Sequence, residues 1–379
     1  MISLEINGLK YDHFTSIQVK RCYDAVPSDF SFTATTDPTD VTKFPILIGD
    51  ICQVLVDDTT FITGFIDEIT VTHSKSNHNI NVKGSSIAVD LVESTMDASY
   101  EVVGPISLKS ALESIVQKLE LNVSVIDKTN VAIDDFETSE RLSGDIGSSV
   151  WSLMVQAALK RNVLLTEDAF GNVIMTRGQG ETLNYTLEKR VNGASNNILS
   201  SDITKSHSRR FSVYKVLSQP NGTDLSQLTF SDDPIENEKQ TESGAESTDD
   251  MIRRSRKCSI MAEQASSTDQ CLTRAIWQSN VSKTQSFSYR CTRQGFKTED
   301  GTLIEPGHIV YVRDEYMSIA SDLMIASVNL SYSLTGGSIA TYECVLPDAF
   351  TLQANTPRFE KSGNDLEGIF DVAQDEEFN

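Results

Sequence analysis

Two-residue alternation of apolar side chains, at both ends of the chain, restricts the fold more than any other feature. "ISLEING" places Ile2, Leu4 and Ile6 two apart and then turns at Asn7-Gly8. "SIQVKR" repeats the pattern through Ile17 and Val19, and "DFSFTAT" through Phe30 and Phe32. A period of two lines one face of a β-strand, so these stretches read as strands. "ICQVLV", from Ile51, is apolar on both faces, as in a strand covered on both sides. "FIDEITVTH" sets Phe65, Asp67, Ile69 and Val71 on one face and Ile66, Glu68 and Thr70 on the other. A polar turn, "SKSN", leads into "HNINVKG", which returns through Ile80 and Val82. Strand texture resumes at "FSVYKVLSQ" and runs again from "SFSYRCTRQG" to "ATYECVLPDAF".

Helical spacing interrupts this texture. "SLKSALESIVQKLELNV" carries Leu108, Ala111, Leu112, Ile115, Val116 and Leu119 on one helix face, with Ser107 as N-cap. "SSVWSLMVQAALKRN" predicts a second helix with Val150, Trp151, Met154, Val155, Ala158 and Leu159 inward. Two strands joined at Gly171-Asn172 follow it. A third helix, over 266–279, turns Cys271, Leu272, Ala275 and Ile276 inward. With 379 residues the chain is too long for one core and divides into several domains.

The stretch 47–84 concentrates five carboxylates: Asp50, Asp57, Asp58, Asp67 and Glu68. Asp50 opens a strand after Gly49. Asp57-Asp58 sits between two strands, where an Asp side chain bonds nearby backbone amides. Asp67 and Glu68 are adjacent on a strand and are expected on opposite faces. The alternating oxygen donors and glycine turn of a calcium loop are absent. The carboxylates therefore read as turn and strand residues.

Other chemistry is thin. The sequence holds no G-x-S-x-G, H-E-x-x-H, Walker loop or G-x-G-x-x-G. Of His13, His73, His78, His207 and His308, only His73 and His78 flank one hairpin, and no third ligand is suggested for a metal. Cys22, Cys52, Cys258, Cys271, Cys291 and Cys344 are scattered without a C-x-x-C and read as reduced thiols. No catalytic, cofactor-binding or metal-binding residue is therefore nominated, and no cofactor is expected.

The formal net charge of −22 argues against a nucleic-acid groove, which needs clustered Lys and Arg. Residues 231–250 hold eight acids and one lysine, and residues 363–379 hold six acids and no base. Both runs read as solvated loop and tail. "MIRRSRKCS", with Arg253, Arg254, Arg256 and Lys257, follows the first run and balances it. The opening residues lack a basic n-region and an apolar h-region, so no signal peptide is expected. No run of about 18 apolar residues predicts a membrane span.

One internal similarity stands out. "GDICQVLVDD" from Gly49 and "GHIVYVRDE" from Gly307 share G-x-I-x-x-V and then reach an acidic turn. "FITGFIDEITVT" and "DLMIASVNLSYS" follow at similar distances, and a last strand follows each. One chain then carries two similar β-units around an α/β insertion, which suits a ring with pseudo-symmetry.

Ordered motifs over about 300 residues add a family resemblance. Gly49-Asp50, Thr63-Gly64, Ile66-Asp67 and Asp90-Leu91-Val92 stand in "GDICQVLVDDTTFITGFIDEITVTHSKSNHNINVKGSSIAVDLVEST". "SSVWSLMVQAALKRNVLLTEDAFGNVIMTR", "NNILSSDITKSHSRRFSVYKVLSQ" and "GTLIEPGHIVYVRDEYMSIASDLMIASVNLSYSLTGG", with the later "PDAF", continue the series. The chain resembles the baseplate hub proteins of Mu-like contractile-tailed phages, the P-type tail proteins. It departs at Gly84-Ser85-Ser86, where the family often has Arg at the position of Ser85, so the local ion pairing is expected to differ.

The resemblance implies an α+β, β-rich multidomain chain that assembles as a trimeric ring. Its parts would be a first tail-tube-like β-barrel hub domain over 1–97 and an α/β domain over 98–193. A second such barrel would take 194–230 and 284–352. An acidic loop and helix insertion over 231–283 would pack with the α/β domain, and 353–379 would be an acidic tail. The implied role is structural and not enzymatic. A homotrimer would adapt the hexameric tail tube to the trimeric central spike and form part of the DNA channel. Implied partners are the tail tube, central spike, baseplate wedge and tape measure proteins. DNA would be transiting cargo only, without stable membrane association. The location would be the virion tail baseplate, after assembly in the host cytoplasm. The alternatives are a hub or spike component of a bacterial contractile injection system, prophage-derived or type VI-like, and a hub-borne cell-wall hydrolase.

Overall fold

The computed structural model describes residues 1–35, 46–74, 77–138, 140–161, 163–178, 180–193, 195–217, 244–261 and 268–350. Among these, the chain forms two compact units, one of Met1–Ile203 with Tyr289–Phe350 and one of Thr204–Ser288.

The first unit begins with a seven-stranded module. It comprises β1 (Ile2–Ile6), β2 (Leu9–Tyr11), β3 (Ser16–Cys22), β4 (Asp29–Thr35), β5 (Ile51–Val56), β6 (Thr59–Ser74) and β7 (Asn77–Ser86). They lie in the order β3-β4-β7-β6-β5-β1-β2, every neighbour antiparallel. The alternating residues face inward: Leu4, Val19, Val54 and Val82 are fully buried, and Phe30 and Phe32 nearly so. A short helix, α1 (Val89–Glu93), ends the module.

An α/β segment follows, with β8 (Glu101–Val103), α2 (Leu108–Lys118), β9 (Val125–Asp127), β10 (Arg141–Ser143), α3 (Val150–Leu159), β11 (Leu164–Glu167) and β12 (Val173–Thr176). Ser107 caps α2, its hydroxyl accepting from Ser110 N at 3.2 Å. Leu108, Leu112, Ile115, Val150, Leu153 and Met154 share one core, each worth about 1.5–3 kcal/mol on burial. The buried face of α3 differs from the expected one. Leu153 and Ala157 are buried, Trp151 and Val155 are partly covered, and Leu159 is 42% exposed. At the end of a helix, packing against α1 and α2 selects the face, and periodicity alone leaves it uncertain by one residue.

A second module completes the unit with β13 (Thr182–Lys189) and β14 (Ile198–Lys205), joined by strands from the chain's later part. The second unit separates these. It holds β15 (Val213–Leu217), β16 (Gly244–Thr248) and β17 (Lys257–Met261) in the order β16-β15-β17, with α4 (Thr268–Gln285). Tyr214, Val216, Cys271 and Ala275 form its own core. Leu272, expected inward, is 40% exposed, since α4 turns Ser279 and Ser282 to the buried side instead. The later strands are β18 (Phe287–Gln294), β19 (Ile309–Asp314), β20 (Ile319–Ser333) and β21 (Gly337–Val345).

The second module has the order β14-β18-β21-β20-β19-β13 and repeats β3-β4-β7-β6-β5-β1 strand for strand. Both long strands carry a bulge at the same place, between Ile66 and Glu68 in β6 and between Ile325 and Ser327 in β20. The bulge corrects the simple alternation expected of "FIDEITVTH". Asp67 has no cross-strand partner, so Ile66, opposite Gly84, and Ile69, opposite Val82, share a face. Asp67 and Glu68 are both exposed rather than divided between faces. The two modules do not close as separate barrels among the described strands. β20 pairs with β3, from Ser327 opposite Cys22 to Ser333 opposite Ser16, which joins them in one 13-stranded sheet.

Candidate functional site

The acidic stretch resolves into turns and strand edges. Gly49, at φ +88°, lets the chain reverse so that Asp50 accepts from Leu47 N at 2.8 Å. Asp57 and Asp58, with φ +47° and +63°, are the two central residues of the β5–β6 hairpin. Asp57 receives the N-terminal ammonium group, and Lys10 Nζ lies 2.7 Å from Asp58, whose carboxyl it holds below the usual range. Glu68 accepts from Lys83 at 3.0 Å and from Thr70 at 2.8 Å, Lys83 lowering its pKa most. Each of these four carboxylates serves its own local partner.

His73 and His78 lie directly opposite one another on β6 and β7, as the hairpin reading requires. Among the described residues no three His, Cys, Asp or Glu side chains cluster as metal ligands. All six cysteines are free, and burial pushes the Cys52 thiol up to about 12, which keeps it protonated. In the second unit Arg210 donates to Asp249 through Nε at 2.6 Å and Nη2 at 3.1 Å, both side chains about 1% exposed. Asp249 belongs to the acidic run read as solvated, so the end of that run is structural. The remainder, 231–243, lies outside the described residues. Arg256 donates to His207 O at 2.6 Å and Ser208 O at 2.9 Å, which places it in loop geometry, while Arg253, Arg254 and Lys257 are exposed.

A buried polar group that joins several parts of the first unit is Glu167, at the end of β11 and 6% exposed. Its carboxylate accepts from Ser28 N at 2.6 Å and from Ser86 Oγ at 2.6 Å, both in the first module. Ser86 adjoins the position where the resemblance leads one to expect Arg. Here a hydroxyl and a backbone amide satisfy the acid. Arg21, on β3 and also buried, donates to Glu167 O at 3.5 Å and to Glu305 at 3.1 Å, just ahead of β19. Tyr23 O–H lies 3.2 Å from Thr176 Oγ1 on β12, and its ring covers Gly307. These residues fasten the first module, the α/β segment and the second module at one place. A carboxylate held by two donors in a buried joint serves to hold geometry. Arg21, Ser28, Ser86, Glu167 and Glu305 are so far apart in sequence that no local motif marks them.

A second polar centre orders the second module. Asp314, fully buried, accepts from Tyr289 O–H at 2.8 Å, Ser201 Oγ at 2.5 Å, and the amides of Tyr316 at 3.0 Å and Met317 at 3.1 Å. It ties β14, β18 and the β19–β20 turn together. Burial, the largest cause, keeps the Tyr289 phenol protonated.

Comparisons with known proteins agree with this architecture. Residues 1–86 match the family model described as Mu phage baseplate assembly protein GpP-like, N-terminal. The baseplate hub protein gp44 of Escherichia phage Mu is 22% identical over 384 residues, covering 98% of this chain and 94% of that protein. The crystal structure of the 43 kDa tail protein of prophage MuSo2 from Shewanella oneidensis superposes with a TM-score of 0.77. Its identity is 25%, with 92% of this chain and 99% of that one covered. A likeness of fold alone extends to the E. coli c3393 protein, described as a component of the type VI secretion system. Its TM-score is 0.53 at 10% identity, over 90% of this chain and 76% of that one. In sequence the chain is similar to the Mu gp44 baseplate hub protein, its first 86 residues match the GpP-like N-terminal model, and its fold is similar to that of the MuSo2 prophage tail protein.

Proposed function

We propose that the chain is a structural baseplate hub of a contractile phage tail, a homotrimer that adapts the hexameric tail tube to the trimeric central spike and lines part of the DNA channel. The observation that carries this reading is the strand-for-strand repeat of two modules in one chain. Three such chains present six similar modules toward a sixfold tube while keeping true threefold symmetry toward a spike. The domain division of the sequence reading is kept as part of the proposal with one change: the two modules are the tube-like domains, and β15, which the sequence reading gave to the second barrel, goes with β16, β17 and α4. Its partners are the tail tube, spike, wedge and tape measure proteins, its location is the virion tail, and its assembly takes place in the host cytoplasm. The net charge of −22 suits a channel that does not hold DNA.

A structural role without catalysis is supported by the homologues, which are baseplate and tail proteins. The likeness to the type VI component favours a second reading, a hub in a contractile injection system that carries no genome. Light scattering on the purified chain tests the ring, which is expected at about 125 kDa from three 41.8 kDa protomers. A persistent monomer overturns it. Recovery of the chain in DNA-filled particles, rather than DNA-free ones, separates the two readings. A peptidoglycan release assay with a positive result would replace both with a hydrolase.

A further inference from the structure

The joint between the two modules is made once inside the chain, and the parts for a second copy of it stand open. Inside the chain, β3 of the first module pairs with the later half of β20 in the second. The repeat sets β6 in the place of β20 and β14 in the place of β3. Register follows from the printed pairings. Glu68 opposite Lys83 matches Ser327 opposite Glu343, each directly after its bulge, so Val71 matches Leu330 and Ile69 matches Val328. Thr33 opposite Asn81 matches Thr292 opposite Thr341. Ser16 pairs with Thr33, and Ser200 Oγ lies 2.6 Å from Thr292 Oγ1, so Ser200 matches Ser16 and Ile203 matches Val19.

Exposure differs at every matched place. Val328 and Leu330 are fully buried under β3, whereas Ile69 is half-buried and Val71 is 55% exposed. Val19 is fully buried, whereas Ile203 is half-buried and nearby Leu199 is 52% exposed. A Cβ added at Gly307 would meet the Tyr23 ring at 2.6 Å, whereas at matched Gly49 it would meet nothing within 4 Å. Beside Gly49, Leu47, Ile48 and Ile51 are each more than half exposed. Beyond the bulge β6 has β7 on one side, and among the described strands it has none on the other; β14 likewise has only β18.

We propose that β6 of one protomer pairs antiparallel with β14 of a second copy of this chain, in the register that β20 makes with β3. Val71 then lies opposite Ile203 of the partner subunit, as Leu330 lies opposite Val19, and Thr72 lies opposite Asp202 of the partner subunit, as Ser331 lies opposite Gln18. The occupant is a copy of this chain because the complementary edge, with an apolar residue at the matching position, is present on the same molecule. Such a head-to-tail contact between unlike edges generates a ring when its rotation closes. The proposal rests on the ring reading above and supplies its contact.

The test uses the full chain with Val71→Cys and Ile203→Cys together. Directly opposed antiparallel residues have Cα atoms about 4.5–5.5 Å apart, within the span of a disulfide. The expected result on mild oxidation is disulfide-linked dimers and trimers, absent from either single variant, with a reduced mass of about 125 kDa by light scattering. A trimer mass with no linked species overturns the strand pairing and leaves the ring reading standing. Linking in a control with Ile69→Cys and Ile203→Cys, but not in the first pair, overturns the register. A monomer mass in every variant and in the parent chain overturns the ring reading and the pairing together.

Discussion

The two modules of the first unit solve one backbone problem with different side chains. Gly49 N donates to Ile66 O and Gly307 N to Ile325 O, both at 2.8 Å, in turns that enter β5 and β19. In the first turn the Asp50 carboxylate accepts from Leu47 N; in the second His308 Nδ1 accepts from Glu305 N at 3.0 Å. Phe30 in β4 lies over Gly84, and a Cβ there would meet its ring at 2.2 Å. In β18, matched Tyr289 faces Cys344 and sends its hydroxyl to Asp314. β1 runs antiparallel to β5, whereas β13 runs parallel to β19, because the chain enters the second module from the α/β segment. Apart from the β13 edge, the repeated quantity is the order and register of the strands. Side chains are free to change wherever another group supplies the same acceptor or fills the same volume.

The largest expected effect comes from breaking the buried joint at Glu167, whose carboxylate bonds Ser28 and Ser86 of the first module. Glu167→Ala strands the Ser28 amide and the Ser86 hydroxyl in a buried site and should cost about 3 kcal/mol. Urea unfolding monitored by circular dichroism reads this, with Glu167→Gln retaining much of the loss. Next, Gly84→Ala imports into the first module a Cβ that the second tolerates at Cys344. Against the Phe30 ring and Phe65 O it should cost about 2 kcal/mol, and an unchanged midpoint would show that Phe30 has room to move. Tyr289→Phe makes the second module resemble the first at this position. It removes one donor to Asp314 and should cost about 1 kcal/mol in the same assay.

The smallest effect concerns pH. Burial, the largest cause, holds the His308 pKa below its ordinary 6.5. Below pH 6.5 the unfolded chain therefore takes up a proton that the folded chain resists. The stability contributed by neutral His308 is complete above 6.5 and is lost as pH falls through the folded value. His308→Asp restores the acceptor used in the first module and should flatten the fall in melting temperature between pH 7 and 5. An unaltered slope would place the acid sensitivity elsewhere.

Much of this architecture is legible before any coordinates. The shared G-x-I-x-x-V works as a signal because the glycine needs positive φ and the valine, Val54 or Val312, faces a core, so both marks survive a change of neighbours. The capping serine and apolar face of α2 read correctly for the same local reasons. Failures arise where neighbours decide. α3 and α4 each expose a leucine that periodicity turns inward, and the β6 bulge cancels alternation at Asp67. The joint around Glu167 gathers residues from β3, the loop before β4, β7, β11 and the loop before β19, so its chemistry exists only after folding. The absence of a catalytic motif directs attention to surfaces, yet it does not say which strand edge is open.

The pairing of β3 with β20 also sets an order of events at the ribosome. Arg21 and Glu305 touch across 284 residues of sequence. At about 5–20 residues per second, the early module waits roughly 15–60 s for the strand that covers β3. During that interval nascent chains on one messenger carry the same bare edge, side by side. A chain that builds its own cover last is thus exposed to its siblings first, and the timing of synthesis becomes part of what keeps each copy paired with itself before it meets another.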